Sequence, residues 1–229
     1  MTYFKYFKPT SKLLAIASLG LLFGCQAVET SQTIQPQTVA NARSAYNGPK
    51  YTLVVGSFDN RSRYNRGIFS DGNDRLGSQA KTILKSHLQM TNRFKIVDRD
   101  NMETLKQESG YKGTQQSIAG ADIALTGDVV EFGRKSTGDK QLFGILGSGK
   151  QQIAYSKVAL NLVDTKTSTI LYSTQGAGEY KLSTREVAGF GSNAGYDATL
   201  NGKVLNLAIT EAINRLVEGL ERGEWSLPK

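Results

Sequence analysis

Cysteine and histidine are nearly missing from this sequence: its 229 residues hold one of each, Cys25 and His87. One cysteine excludes a disulfide within the chain, even in an oxidising compartment. One histidine with no cysteine near it excludes a multi-histidine zinc site, so His87 reads as a surface or helix-packing residue. A serine nucleophile would have to use the same histidine, and the chain has no G-x-S-x-G elbow. Acidic pairs such as Asp98 with Asp100 stand where a helix starts and read as caps, not as catalytic carboxylates. An apolar run of the ~20 residues that a membrane-crossing helix needs is also missing. The segment 144–150, GILGSGK, imitates a phosphate loop, but Gln151 stands where the magnesium-binding hydroxyl belongs. Strand-like alternation follows it, not the helix whose N-terminus would hold phosphate. The acidic residue of LNLVD, Asp164, comes too soon behind it, and a glycine-rich hairpin turn is the better reading. No constellation for catalysis, metal or cofactor remains, so the expectation is neither an enzyme nor a cofactor carrier.

The net charge is +8, from 28 basic and 20 acidic residues. Three of those basic residues, Lys5, Lys8 and Lys12, precede residue 13, where no acidic residue occurs. The rest balance to +5 and are well mixed. A nucleic-acid partner would need a clustered basic face, and none is expected here.

The three lysines are followed by LLAIASLGLLF over residues 13–23 and then by Gly24-Cys25. A basic start and an apolar run of this length form a secretory signal peptide, assigned to residues 1–24. A small residue before cysteine at the end of the run resembles the lipobox cut by bacterial lipoprotein signal peptidase. The resemblance implies diacylglycerol on Cys25. Several acyl chains on one N-terminus anchor firmly, since each buried CH₂ contributes ~0.8 kcal/mol. Gln26 follows the cysteine, and by resemblance to enterobacterial lipoproteins this implies sorting to the outer membrane, with the main domain in the periplasm. Residues 25–50 are rich in Gln, Thr, Ser, Ala and Asn and read as a flexible linker. A coil of ~25 residues spans roughly 25–30 Å.

The folded part is expected over residues 51–229. YTLVVGSF is a strand. The polar stretch 59–75, DNRSRYNRGIFSDGNDR, is long for a loop, and such loops are usually functional or disordered. Residues 76–90 put Ala80, Ile83, Leu84 and Leu88 on one helical face, with Met90 at its margin. FKIVD is a second strand. DRDNMETLKQES is a helix capped by Asp98 or Asp100, with Met102 and Leu105 turned inward. ADIALTGDVVEF is a strand running into Gly133. VALNLVD and TILYST are strands around the turn DTKTS. A strong helix from Val204 to about Leu220 buries Leu205, Ala208, Ile209, Ala212, Ile213, Leu216, Val217 and Leu220. Trp225 packs its end, with the indole N–H at a polar edge.

This order, with the local matches FKIVDRDNMETLKQE, ADIALTGDVVEF, LFGI, VALNLVDTKTSTIL and RGEWSL, resembles the curli secretion channel family, also called the CsgG/HfaB family. The resemblance covers roughly residues 51–227. It implies an α/β (α+β) periplasmic domain, subunits assembled in a homo-oligomeric ring, and two β-hairpins from each subunit in a shared transmembrane β-barrel. It implies that unfolded protein subunits pass through the ring, with periplasmic accessory proteins as further partners. The loop 59–75 would line a constriction, with Tyr64, Asn65 and Phe69 as the nearest counterparts of the family's tyrosine, asparagine and phenylalanine. Their spacing departs from the family pattern, and Arg61, Arg63, Arg66 and Arg75 make the loop more basic.

Residues 130–141 with 151–162, and 174–186 with 194–205, have the ~9–11 residues a transmembrane strand needs. These hairpins, about 130–162 and 174–205, carry Arg134, Lys135, Asp139, Lys140, Arg185 and Glu186. A midplane charge on the lipid face costs up to ~2–4 kcal/mol, so these must face the lumen or the rims. Tyr155, Tyr172, Tyr180 and Tyr196 are either an interfacial girdle or ordinary strand tyrosines. Periodicity alone leaves open whether the hairpins span a membrane or extend a periplasmic sheet, and the resemblance favours spanning. The rival expectation is a non-pore periplasmic lipoprotein that binds and activates an envelope partner such as a peptidoglycan synthase.

Overall fold

Leu53 and Val55 are buried one residue apart, as alternation along a strand requires. A bulge between Val55 and Phe58 then returns Phe58 and Asn60 to the buried side. The computed structural model describes residues 37–64, 74–140, 148–186 and 200–227. The strands are β1 (Tyr51–Asn60), β2 (Phe94–Val97), β3 (Ile123–Lys140), β4 (Ser148–Asp164) and β5 (Ile170–Glu186). They form one sheet in the order β2-β1-β3-β4-β5. β1 is parallel to both its neighbours, while β4 is antiparallel to β3 and β5. The helices are α1 (Arg75–Thr91), α2 (Met102–Tyr111) and α3 (Leu200–Glu221). The fold is thus a mixed α+β domain.

The core lies between this sheet and helices α1 and α3. α1 buries Leu76, Ala80, Leu84 and Leu88, and α3 buries the whole apolar face expected from its spacing. Each such side chain contributes about 1.5–3 kcal/mol relative to leaving it in water. α3 lies very close to β5: a Cβ at Gly176 would stand 2.1 Å from the Ala208 carbonyl oxygen, so only glycine fits. Trp225 is buried beside Phe94, Tyr51 and Tyr172, and its N–H donates to the Leu216 carbonyl at 3.3 Å. The turn DTKTS is organised by Asp164, whose carboxylate accepts from the Lys166 and Thr167 amides. Those backbone hydrogen bonds, the Lys166 one foremost, hold its pKa below the usual carboxylate range.

β3 runs through Gly133 to Lys140, and three expectations are corrected. The cross-strand partner of Gly133 is Tyr155, whose ring occupies the place a Cβ would take, so the pair keeps the strand covered. Residues 200–205 are not the last strand of a second hairpin but the start of α3. The apolar spacing of that helix extends back to Leu200 and Val204, both fully buried. Residues 187–193 and the rest of that strand to 199 lie outside the described residues. α2 buries none of its side chains, and Leu105, expected to turn inward, is 43% exposed. Its N-cap is Asn101, not Asp98 or Asp100, and that side chain does not cap. Asp98 instead accepts from the Asp100 amide, the Asn101 side chain and Lys85.

The linker expected over 25–50 is also shortened. From Gln37 the chain lies on the helices: Val39 is buried, Ala40 N–H donates to Asn214 Oδ1 at 2.9 Å, and Arg43 N–H donates to the Met90 carbonyl at 2.8 Å. One apolar side chain in a polar stretch is enough when helix-borne amides receive the backbone on either side of it.

Candidate functional site

The long loop after β1 is the stretch the sequence singles out, and its two ends meet at Asn60. The Asn60 N–H donates to Asp74 Oδ2 at 2.6 Å, and its side-chain amide donates to the Tyr64 carbonyl at 2.9 Å. The other oxygen of Asp74 caps α1 by accepting from the Gly77 amide at 2.7 Å. Asn60 Oδ1 accepts from the backbone and hydroxyl of Ser62. The amides of Arg61 and Ser62 both donate to the Val129 carbonyl, where a bulge in β3 leaves it available. Arg61 pairs with Asp128 at 2.7 Å, and that hydrogen bond raises the guanidinium pKa further. Loops whose ends are held close in this way are often functional.

Tyr64 leads from this neck into the rest of the molecule. Its ring lies 4.6 Å from that of buried Phe132, tilted by 54°. Its hydroxyl accepts from the Asn201 amide nitrogen at 3.0 Å. Asn201 Oδ1 in turn accepts from Arg134 Nε at 2.9 Å and Nη2 at 2.6 Å. The structure therefore joins the loop, the point where β3 leaves the core, and the first turn of α3. Arg134 was suspect as a charge on a membrane strand; its guanidinium is turned onto α3. Of the other residues singled out in sequence, Cys25, Asn65, Phe69 and Tyr196 lie outside the described residues. Tyr155 is 42% exposed over Gly133. Tyr172 packs at the end of α3 and donates to Glu224 at 3.1 Å, and Tyr180 lies under the Lys203 ammonium. The segment after 147 is strand, so no helix N-terminus follows GILGSGK.

A second polar cluster lies under the N-terminal strap. His87 is buried between α1 and α3, with Nε2 2.7 Å from Asn206 Oδ1. The Asn206 nitrogen donates to the Gln37 carbonyl at 2.9 Å, which makes Oδ1 the acceptor and Nε2 the donor. Arg93, also buried, donates to Glu221, Ser44 Oγ and the Thr91 carbonyl and lies over the Tyr46 ring. Sequence reasoning missed Asn201, Asn206 and Arg93. A polar residue on the inner face of an amphipathic helix is the one signal that could have found the two asparagines. Among the described residues no group of three His, Cys, Asp or Glu could hold a metal ion, and no helix is long and apolar enough to cross a membrane.

Comparison with known proteins gives three kinds of likeness. The family model described as curli production assembly/transport component CsgG matches residues 37–228. NMB1126/NMB1164 of Neisseria meningitidis serogroup B, named as a lipoprotein, is 58% identical over 216 residues, covering 94% of this chain and 96% of its own. Among solved structures, the PelC dodecamer from Paraburkholderia phytofirmans is 14% identical, covering 79% of this chain and 93% of its own, with a TM-score of 0.34. Lipoprotein GNA1162 from Neisseria meningitidis is 14% identical, covering 76% and 100%, with a TM-score of 0.33.

Proposed function

The chain belongs to the family of the curli production assembly/transport component CsgG, and from that premise we propose that it is an outer-membrane lipoprotein whose copies form a ring-shaped secretion channel for unfolded protein. The signal peptide over 1–24 is removed, Cys25 is acylated, and the main domain stands in the periplasm. The 58% identical relative named as a lipoprotein supports the anchor.

One observation carries the pore: among the described residues, the outer part of the sheet has two edges with no strand paired to them. Past Asn60, β1 no longer covers β3, and ten residues each of β3 (131–140), β4 (148–157) and β5 (177–186) form a three-stranded extension. Its length suits a transmembrane strand of ~9–11 residues. Open edges cannot face lipid, and in water they invite pairing with other chains. Neighbouring copies in a ring would satisfy both edges. The constriction in this reading is the loop after β1, with Asn65 and Phe69 narrowing it and Tyr64 at its root.

The test is electron microscopy and planar-bilayer recording on acylated, detergent-extracted protein. Ring-shaped particles with stable, large single-channel steps are expected. Monomers without conductance would overturn the pore and leave the rival reading, a lipoprotein that binds an envelope partner.

A further inference from the structure

We propose that Tyr64, Asn201 and Arg134 are positioning residues, a polar tie that sets where the neck of the loop stands relative to the outer part of β3. The inference rests on the pore reading for its effect on current, but not for its effect on the neck itself.

Three features of the contact point to this role. First, the tie has one orientation. Two guanidinium donors converge on Asn201 Oδ1, a charge-assisted contact. The amide nitrogen must then face the other way, toward the Tyr64 hydroxyl. Second, its members come from separate elements: Tyr64 from the loop, Arg134 from β3, and Asn201 from the first turn of α3. Phe132, two residues from Arg134, fixes the tyrosine ring sideways. Displacement of the outer part of β3 against α3 therefore acts on Tyr64, and through its carbonyl on Asn60, which also holds Asp74 at the far end of the loop. Third, the tie is not what holds β3 and α3 in the fold. Val129 and Phe132 of β3 and Val204 and Leu205 of α3 are buried in the core without it. A polar contact beside a core that is already complete can be lost without unfolding, which suits a positioning element.

Tyr64→Phe keeps the ring on Phe132 and removes only the hydroxyl, and Asn201→Ala removes the relay. Backbone hydrogen exchange in the full acylated protein is the first readout. Exchange at Ser62 and Tyr64 should quicken about threefold to tenfold in both variants, the range one lost hydrogen bond allows, while core amides of β4 stay unchanged. Unchanged exchange at the neck in both variants overturns the tie. Single-channel recording is the second readout: the variants should show additional current levels where the wild type shows one. If the wild type conducts, the neck loosens and the current does not change, the tie has no part in the pore and the proposal fails. If the neck loosens and the wild type carries no current, the tie stands and the pore reading is the one that falls.

Discussion

At the scale of single residues, the molecule depends on where side chains are absent as much as on where they are present. Gly176 and Gly178 lie flush against α3, and the distances leave no room for a methyl group. Gly176→Ala forces strand and helix apart and should cost about 3 kcal/mol, the upper part of the range for overpacking. In a domain of this size that is roughly 6–12 °C in thermal unfolding midpoint. Gly110→Ala is the contrasting case. Nothing lies within 4 Å of the new methyl, and glycine inside a helix is about 1 kcal/mol worse than alanine, so this change should leave the midpoint unchanged or raise it. Composition marked both positions only as glycine. Their opposite responses follow from the neighbours that tertiary packing brings to one and not to the other.

At the scale of elements, charge holds together what the core does not. α2 has no buried side chain, and the turn leading into it is fixed by Lys81 and Lys85 of α1, paired with Asp98 and Asp100 at 2.7–3.0 Å. The Asp98 pKa is lowered to about 2, first by the Asn101 amide and then by Lys85. Asp100 is lowered by Lys81 and Lys85. Burial works against the Lys85 ammonium, yet the hydrogen bonds it donates to Asp100 and Asp98 outweigh it and raise its pKa. A carboxylate whose folded pKa lies below its unfolded value of about 3.9 stabilises the fold above that pH. The contribution fades as pH falls toward 2. Carboxyl chemical shifts followed by NMR should show an Asp98 midpoint near that value, and Asn101→Ala should move it upward. An ordinary midpoint in the unsubstituted protein would refute the contact. The acidic pair was legible as a helix-start feature, but its ion-pair role was not, because the lysines lie 13–19 residues away.

At the scale of the whole molecule, the proposed acylation of Cys25 and the outer edges of the sheet are the two features on which the channel reading rests. Cys25→Ser removes the thiol that the proposed acylation needs. Intact mass should then show the uncleaved precursor without acyl chains, and cell fractionation should show it lost from outer-membrane lipoprotein fractions. Processing and membrane retention of Cys25→Ser at wild-type levels would place the anchor elsewhere. The strap from Gln37 onward bears on the same question, because it puts the start of the packed chain ahead of Tyr51. The polar composition of residues 25–50 predicted a free tether throughout. One buried valine and two helix-borne asparagines were enough to overrule it from residue 37.

Periodicity in the sequence by itself determined most strands and the faces of α1 and α3, because an amphipathic element declares its buried side through local spacing. The scarcity of cysteine and histidine was equally plain, since composition needs no partner to be read. Only the tertiary structure decided that α2 buries none of its side chains, that residues 200–205 turn helical, and that Tyr64, Asn201 and Arg134 meet. The last two depend on a neighbour distant in sequence: a core that accepts Leu200, an amide between a hydroxyl and a guanidinium. Such contacts leave no period in the chain, because what selects them is the surface another segment presents.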